Sequence, residues 1–114
     1  MERHAMRVAG IGFQRGASAA SLRAALASVE PVDRVATAAP KAAELAAAIG
    51  REVEGVDVTG VATPTRSQAS FAAHATGSVA EAAALVAAGQ GARLIQARKI
   101  IGGVTIAVAE GDEG

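Results

Sequence analysis

The sequence contains no cysteine, no tryptophan and no tyrosine. Without cysteine there is no disulfide framework, no thiolate nucleophile and no cysteine-based zinc site, and the composition fits a reducing cytoplasm. Without tryptophan or tyrosine there is no aromatic platform for stacked bases. Charge of one sign is also missing: 11 Lys plus Arg balance 11 Asp plus Glu. No basic field is available to attract a phosphate backbone, so no nucleic-acid partner is expected. Long hydrophobic runs are absent too. The apolar stretches are alanine-rich and are broken by Lys41, Glu44, Glu81 or glycines before the roughly 20 residues a membrane span needs. The opening residues Met1–Arg7 carry mixed charge and no apolar signal-peptide core. A cytoplasmic protein with no membrane partner is the expectation.

What is present is enough for one domain. A chain of 114 residues can bury a core without metal or disulfides. Residues 1–114 read as a single domain, with 1–6 and 111–114 expected as mobile tails. The core is built from Leu, Ile, Val and many alanine methyls, since Phe13 and Phe71 are the only bulky aromatics. Small side chains of this kind let helices lie close to a sheet.

The chain alternates strand and helix patterns. Arg7–Ile11 is a short apolar run ending in glycine, which predicts a buried strand. Leu22, Leu26 and Val29 then share one helical face between Ser18 and Pro31. Val32–Thr37 predicts a second strand, and Pro40–Gly50 a helix with proline in its first turn and glycine at its C-terminal cap. Arg51–Val58 predicts a short third strand weakened by Gly55. Ser78-Val-Ala-Glu81 is a capping box that opens an alanine-rich helix to Ala88. Arg93–Ala97 and Val104–Ala109 predict two final strands around Gly102-Gly103. The expected fold is α/β: a mixed, mostly parallel sheet with helices on its faces and a C-terminal antiparallel strand pair added at one edge.

Two stretches could carry binding chemistry. The first is Val8-Ala-Gly10-Ile-Gly12-Phe-Gln-Arg15-Gly16, where a strand meets a glycine-rich turn carrying an arginine and then a helix. Free N–H groups, the positive end of a helix dipole and Arg15 suit an anion, in particular a carboxylate. The glycines would equally serve a tight turn, with Arg15 solvated. The spacing is one residue too long for G-x-G-x-x-G, and the second strand ends at Ala36-Thr37 rather than at an acidic residue for a ribose. A dinucleotide cofactor is therefore not expected, and neither is any other cofactor.

The second stretch is Thr76-Gly77-Ser78, with hydroxyls and a pliable backbone at a helix start, so that both stretches could face one ligand. Ser78 and Glu81 are fully accounted for by capping, and Glu81 is a candidate acid or base only beyond that role. His74 has no G-x-S-x-G elbow to serve. It and His4 lack metal-ligand spacing, so no metal site is expected. Lys41, Arg66, Arg98 and Lys99 fall near element ends, where cations can meet carboxylates.

The run Val8-Ala-Gly-Ile-Gly-Phe-Gln-Arg-Gly-Ala-Ser, the segment Thr63-Pro-Thr-Arg-Ser, the run Thr76-Gly-Ser-Val-Ala-Glu-Ala-Ala-Ala-Leu and the terminal Gly103-Val-Thr-Ile-Ala-Val-Ala together resemble the CobE family. That family is similar to the C-terminal domain of CbiG, and the resemblance extends from about Arg7 to Glu110. It implies a role in cobalamin (vitamin B12) biosynthesis, with a precorrin-type tetrapyrrole intermediate as ligand and other pathway enzymes as further partners. CbiG itself opens a lactone on a corrin precursor. The resemblance implies a stand-alone C-terminal-type domain without the N-terminal part of CbiG.

Corrin precursors carry several acetate and propionate arms. The positions within matching motifs that suit them are Gly10, Gly12, Arg15, Gly16, Thr63, Gly77, Ser78 and Glu81, with Lys99 before the last strand. If the chain is an enzyme, the implied reaction is hydrolysis of a precorrin lactone, with Glu81 and His74 as the catalytic candidates. Binding without catalysis is the leading expectation because no nucleophile motif is present. A subunit that only joins pathway enzymes is the third possibility.

Overall fold

In the computed structural model, the described residues are 5–14, 16–61, 63, 78–89 and 91–112. The elements run β1 (Ala5–Gly12), α1 (Ala19–Ala27), β2 (Arg34–Ala38), a 3-10 turn (Ala39–Lys41), α2 (Ala42–Ile49), β3 (Glu54–Val56), α3 (Val79–Ala88), β4 (Arg93–Ile101) and β5 (Val104–Asp112). The five strands form one sheet in the order β3-β2-β1-β5-β4. β1 pairs in parallel with β2, and β2 with β3, while β5 runs antiparallel to both β1 and β4. The α/β fold and its added C-terminal strand pair are as expected. Four of the five strands, β1 to β4, therefore run in one direction and β5 runs against them.

Period-two alternation explains the three layers. Ala9 and Ile11 of β1, Val35 of β2 and Ile106 of β5 pack with Leu22, Ala25 and Leu26 of α1 and Leu45 of α2. Met6 and Val8, Ala36 and Ala38, and Ala109 face the other way, onto the alanines of α3. α1 and α3 start, and α2 ends, where the sequence provides a cap. Ser18 Oγ accepts the Ser21 N–H at 3.0 Å, and Ser78 Oγ accepts the Glu81 N–H at 3.3 Å. Gly50 ends α2 in the left-handed conformation, at φ +69°.

Where α3 lies closest to the sheet, the sheet presents glycine for a steric reason. A Cβ on Gly10 would stand 2.0 Å from the Ala80 carbonyl oxygen, and one on Gly111 would stand 2.3 Å from that of Ala88. α3 therefore lies directly on β1 and β5, with its N-terminus at the C-terminal end of β1. β1 and β5 also reach further than the sequence pattern indicates. Ala5 and Met6, placed in a mobile tail by the sequence reading, pair with Asp112 and Gly111, placed in the other.

Candidate functional site

The β1–β2 ladder stops at Gly10–Ala36, whereas β1 continues beside β5 to Gly12–Thr105. Beyond the last ladder pair, side chains take over the hydrogen bonding. The buried Thr37 Oγ1 donates to the Ile11 carbonyl at 2.7 Å, and Thr105 Oγ1 donates to the Gly12 carbonyl at 3.0 Å. The Lys41 ammonium, which follows β2, donates to the Phe13 carbonyl, which follows β1. It also lies 5.0 Å from the centroid of the Phe13 ring, a cation–π contact. Thr37 and Lys41 thus bridge the ends of β1 and β2 where backbone pairing has stopped.

Three helices begin at this edge. α1 leaves β1 through a turn closed by the Ala17 N–H donating to the Gln14 carbonyl at 3.1 Å, with Gly16 at φ +90°. α2 follows Lys41. α3 arrives from the other face, with the Ala80 nitrogen 3.5 Å from the position a Cβ on Gly12 would take. N-termini of helices on both faces of the sheet therefore point their unpaired N–H groups and positive dipole ends toward one edge. In α/β sheets this edge, outside the carboxyl ends of the parallel strands, is where ligands bind.

The residues singled out from sequence divide accordingly. Gly10 and Gly12 lie within β1 instead of in the turn, and their lack of a side chain serves the close approach of α3 and Thr105. Gly16 is in the turn and exposed, where φ +90° favours glycine. Ser78 is buried at the start of α3, and the two residues after it, Val79 and Ala80, lie against Gly12. Thr63 is half-buried in the connection after β3. Arg15, His74 and Gly77 lie outside the described residues. Lys99 is opposite Ile106, whose side chain belongs to the α1–α2 layer, so its register places it on the other side of the sheet from Ser78 and two strands from β1.

Glu81 is fully buried, at 0 % exposure. Its Oε2 accepts the Arg98 backbone N–H at 2.9 Å. The reason lies in β4, whose pairing with β5 shifts register between Gln96 and Lys99. Three steps along β4 match two along β5, which makes a bulge around Ala97 and Arg98. A bulge takes an N–H out of the ladder, and the Glu81 carboxylate supplies its acceptor. Glu81 thus ties the first turn of α3 to the edge strand. Its sequence signal was the capping box, which accounts for its own N–H bond to Ser78. Nothing local in the sequence announces the bulge.

Sequence reasoning underrated Lys41 and did not single out Thr37 or Thr105, because their contacts join positions 26 to 93 residues apart. Elsewhere, a groove of about 510 Å³ lined by Asp33, Arg34, Arg51, Glu52 and Glu54 lies at the opposite, N-terminal end of β2 and β3. Its charges are largely paired: Arg51 with Glu30 at 3.0 Å, Arg34 with Glu54 at 3.6 Å. Among the described residues no cluster of His, Asp and Glu could hold a metal ion. No helix among them is long and apolar enough to cross a membrane.

Comparison with known proteins defines the class. Residues 7–109 match the family model described as cobalamin synthesis G C-terminus. The chain belongs to this family and is a cobalamin biosynthesis protein of the CobE/CbiG C-terminal type. Among solved structures it is similar to CobE, a protein from the cobalamin (vitamin B12) biosynthetic pathway, with 28% identity over 96% of this chain and 94% of that one, at a TM-score of 0.70. It is also similar to the cobalamin biosynthesis protein chiG from Agrobacterium tumefaciens str. C58, with 37% identity over 91% of this chain and 97% of that one, at a TM-score of 0.67. No match was found among curated proteins.

Proposed function

We propose that this protein binds a carboxylate-rich precorrin intermediate at the C-terminal edge of β1 and acts as its carrier or as an accessory to ring-modifying enzymes of the pathway, in the cytoplasm. The observation that carries the reading is the meeting of the β1–α1 turn and the start of α3 at one edge. Corrin precursors are ringed by acetate and propionate arms, and carboxylates gain most from preoriented N–H donors and cations. Gly12, Gly16 and Ser78 supply backbone and hydroxyl at this edge, and Arg15, next to Gly16 in sequence, supplies charge. Thr63 and Gly77 complete the proposed contact set, and Lys99, across the sheet from Ser78 and two strands from β1, is left out of it. The position of Glu81 favours binding over lactone hydrolysis, since a buried carboxylate holding a backbone N–H is placed for architecture rather than proton transfer.

The test is titration of the purified protein with a metal-free corrin polycarboxylate, followed by its visible absorption. Saturable binding is expected, and Arg15→Ala is expected to weaken it by about 1.5–3 kcal/mol, the scale of one charge-assisted contact. No binding at concentrations on the order of tens of micromolar, near −6 to −7 kcal/mol, contradicts the proposal.

A further inference from the structure

The cation that the described site places most definitely is Lys41, and its surroundings are unusual for a lysine. It is the residue that caps the start of α2, yet no side chain caps that helix, and a positive charge there opposes the helix dipole. It is half-buried. Among the described residues no carboxylate pairs with it. Its contacts are the Phe13 carbonyl and the Phe13 ring, both neutral. Arg7, Arg34, Arg51 and Arg93 each have a glutamate partner, whereas Arg23, Arg98 and Lys99 share with Lys41 the lack of an ion pair among the described residues, and Lys41 differs from these three in being held on a carbonyl and a ring. An ammonium at the positive end of a helix, in no ion pair among the described residues even with Glu44 in the same turn, and lying across the gap between the ends of β1 and β2, is placed for an anion from outside the chain.

Resting on the binding reading above, we propose that Lys41 is the residue that grips a ligand carboxylate, and that in doing so its ammonium moves from the Phe13 carbonyl to the ligand. The Phe13 carbonyl and ring hold the flexible lysine stem over the β1–α1 turn in the free protein, which lowers the entropy cost of gripping the ligand. Releasing the Phe13 carbonyl frees the turn to adjust around the ligand.

The experiment compares a metal-free corrin polycarboxylate with its permethyl ester, on the wild-type protein, Lys41→Met and Lys41→Arg. Lys41→Met is expected to weaken binding of the acid by about tenfold or more while leaving the ester unchanged, and Lys41→Arg to keep most of the acid's affinity. A purely structural lysine would change both ligands alike. A second readout needs no variant: the Lys41 side-chain NMR signals are expected to shift on adding the acid and not the ester. If the wild type binds the acid but Lys41→Met binds it as tightly, or if the Lys41 signals stay still, Lys41 is not the grip, and the binding reading stands without it. If the wild type does not bind the acid, the binding reading falls and this proposal with it.

Discussion

A methyl group on Gly10 would collide with the backbone of α3, 2.0 Å from the Ala80 oxygen and 2.6 Å from the Ala84 nitrogen, and neither can give way as a side chain can. Gly10→Ala is therefore expected to cost about 1–3 kcal/mol or more, as overpacking of a tight core does, read as a lowered urea midpoint. Gly16→Ala meets nothing within 4 Å and costs only its φ of +90°, on the order of 1–2 kcal/mol. A smaller loss at Gly10 than at Gly16 would mean that α3 does not lie on β1 as described. A second residue-scale outcome concerns Asp57. The Thr59 backbone N–H at 2.9 Å, followed by the Thr59 hydroxyl, holds the Asp57 carboxyl below its ordinary 3.8 against a smaller opposing effect of desolvation. A depressed folded value means that this turn adds stability above the unfolded pKa and loses it as pH falls through the folded one. NMR titration of the Asp57 carboxyl is expected to give a midpoint below 3.8; a midpoint above it contradicts the turn geometry.

At the scale of elements, α3 and β4 are one unit because the Glu81 carboxylate joins the first turn of the helix to the bulge at Arg98. Glu81→Gln keeps an acceptor for the Arg98 N–H and is expected to fold with a modest loss of stability. Glu81→Leu leaves that N–H without its partner and is expected to cost about 1–3 kcal/mol in chemical denaturation. Equal losses for the two variants would show that the bond to Arg98 is not what matters. The elements themselves were legible because their signals are local: Leu22, Leu26 and Val29 on one face, Ser78 and Glu81 three apart, and Gly50 after Ile49. Their reach was not. β1 extends to Ala5 and β5 to Asp112 because the two strands pair with each other across the whole chain, and no window of sequence around Met6 contains Gly111. The glycines of β1 misled for a related reason. Gly10 and Gly12 read locally as a turn, whereas what they accommodate is a helix about 70 residues later, packed onto the strand.

At the scale of the whole molecule, the sheet sorts its two ends by chemistry. The N-terminal end of β2 and β3 carries a groove whose arginines already have glutamate partners. Among the described residues, the C-terminal end gathers the starts of α1, α2 and α3 and an ammonium whose partners are a carbonyl and a ring. The sequence indicated the two halves of this second end as separate stretches, at Gly10–Gly16 and at Thr76–Glu81. That they meet follows from α3 running antiparallel to β1 on the face opposite α1, which is a property of the topology rather than of either stretch. The central claim, that this end receives a corrin polycarboxylate, is tested most directly by mapping backbone amide shifts in a nitrogen-15 NMR titration with the metal-free acid. The account predicts shifts concentrated at Gly12, Phe13, Gln14, Gly16, Ser78 and Val79, with Asp33, Arg51 and Glu52 undisturbed. Shifts gathered instead at Asp33, Arg51 and Glu52 would contradict it.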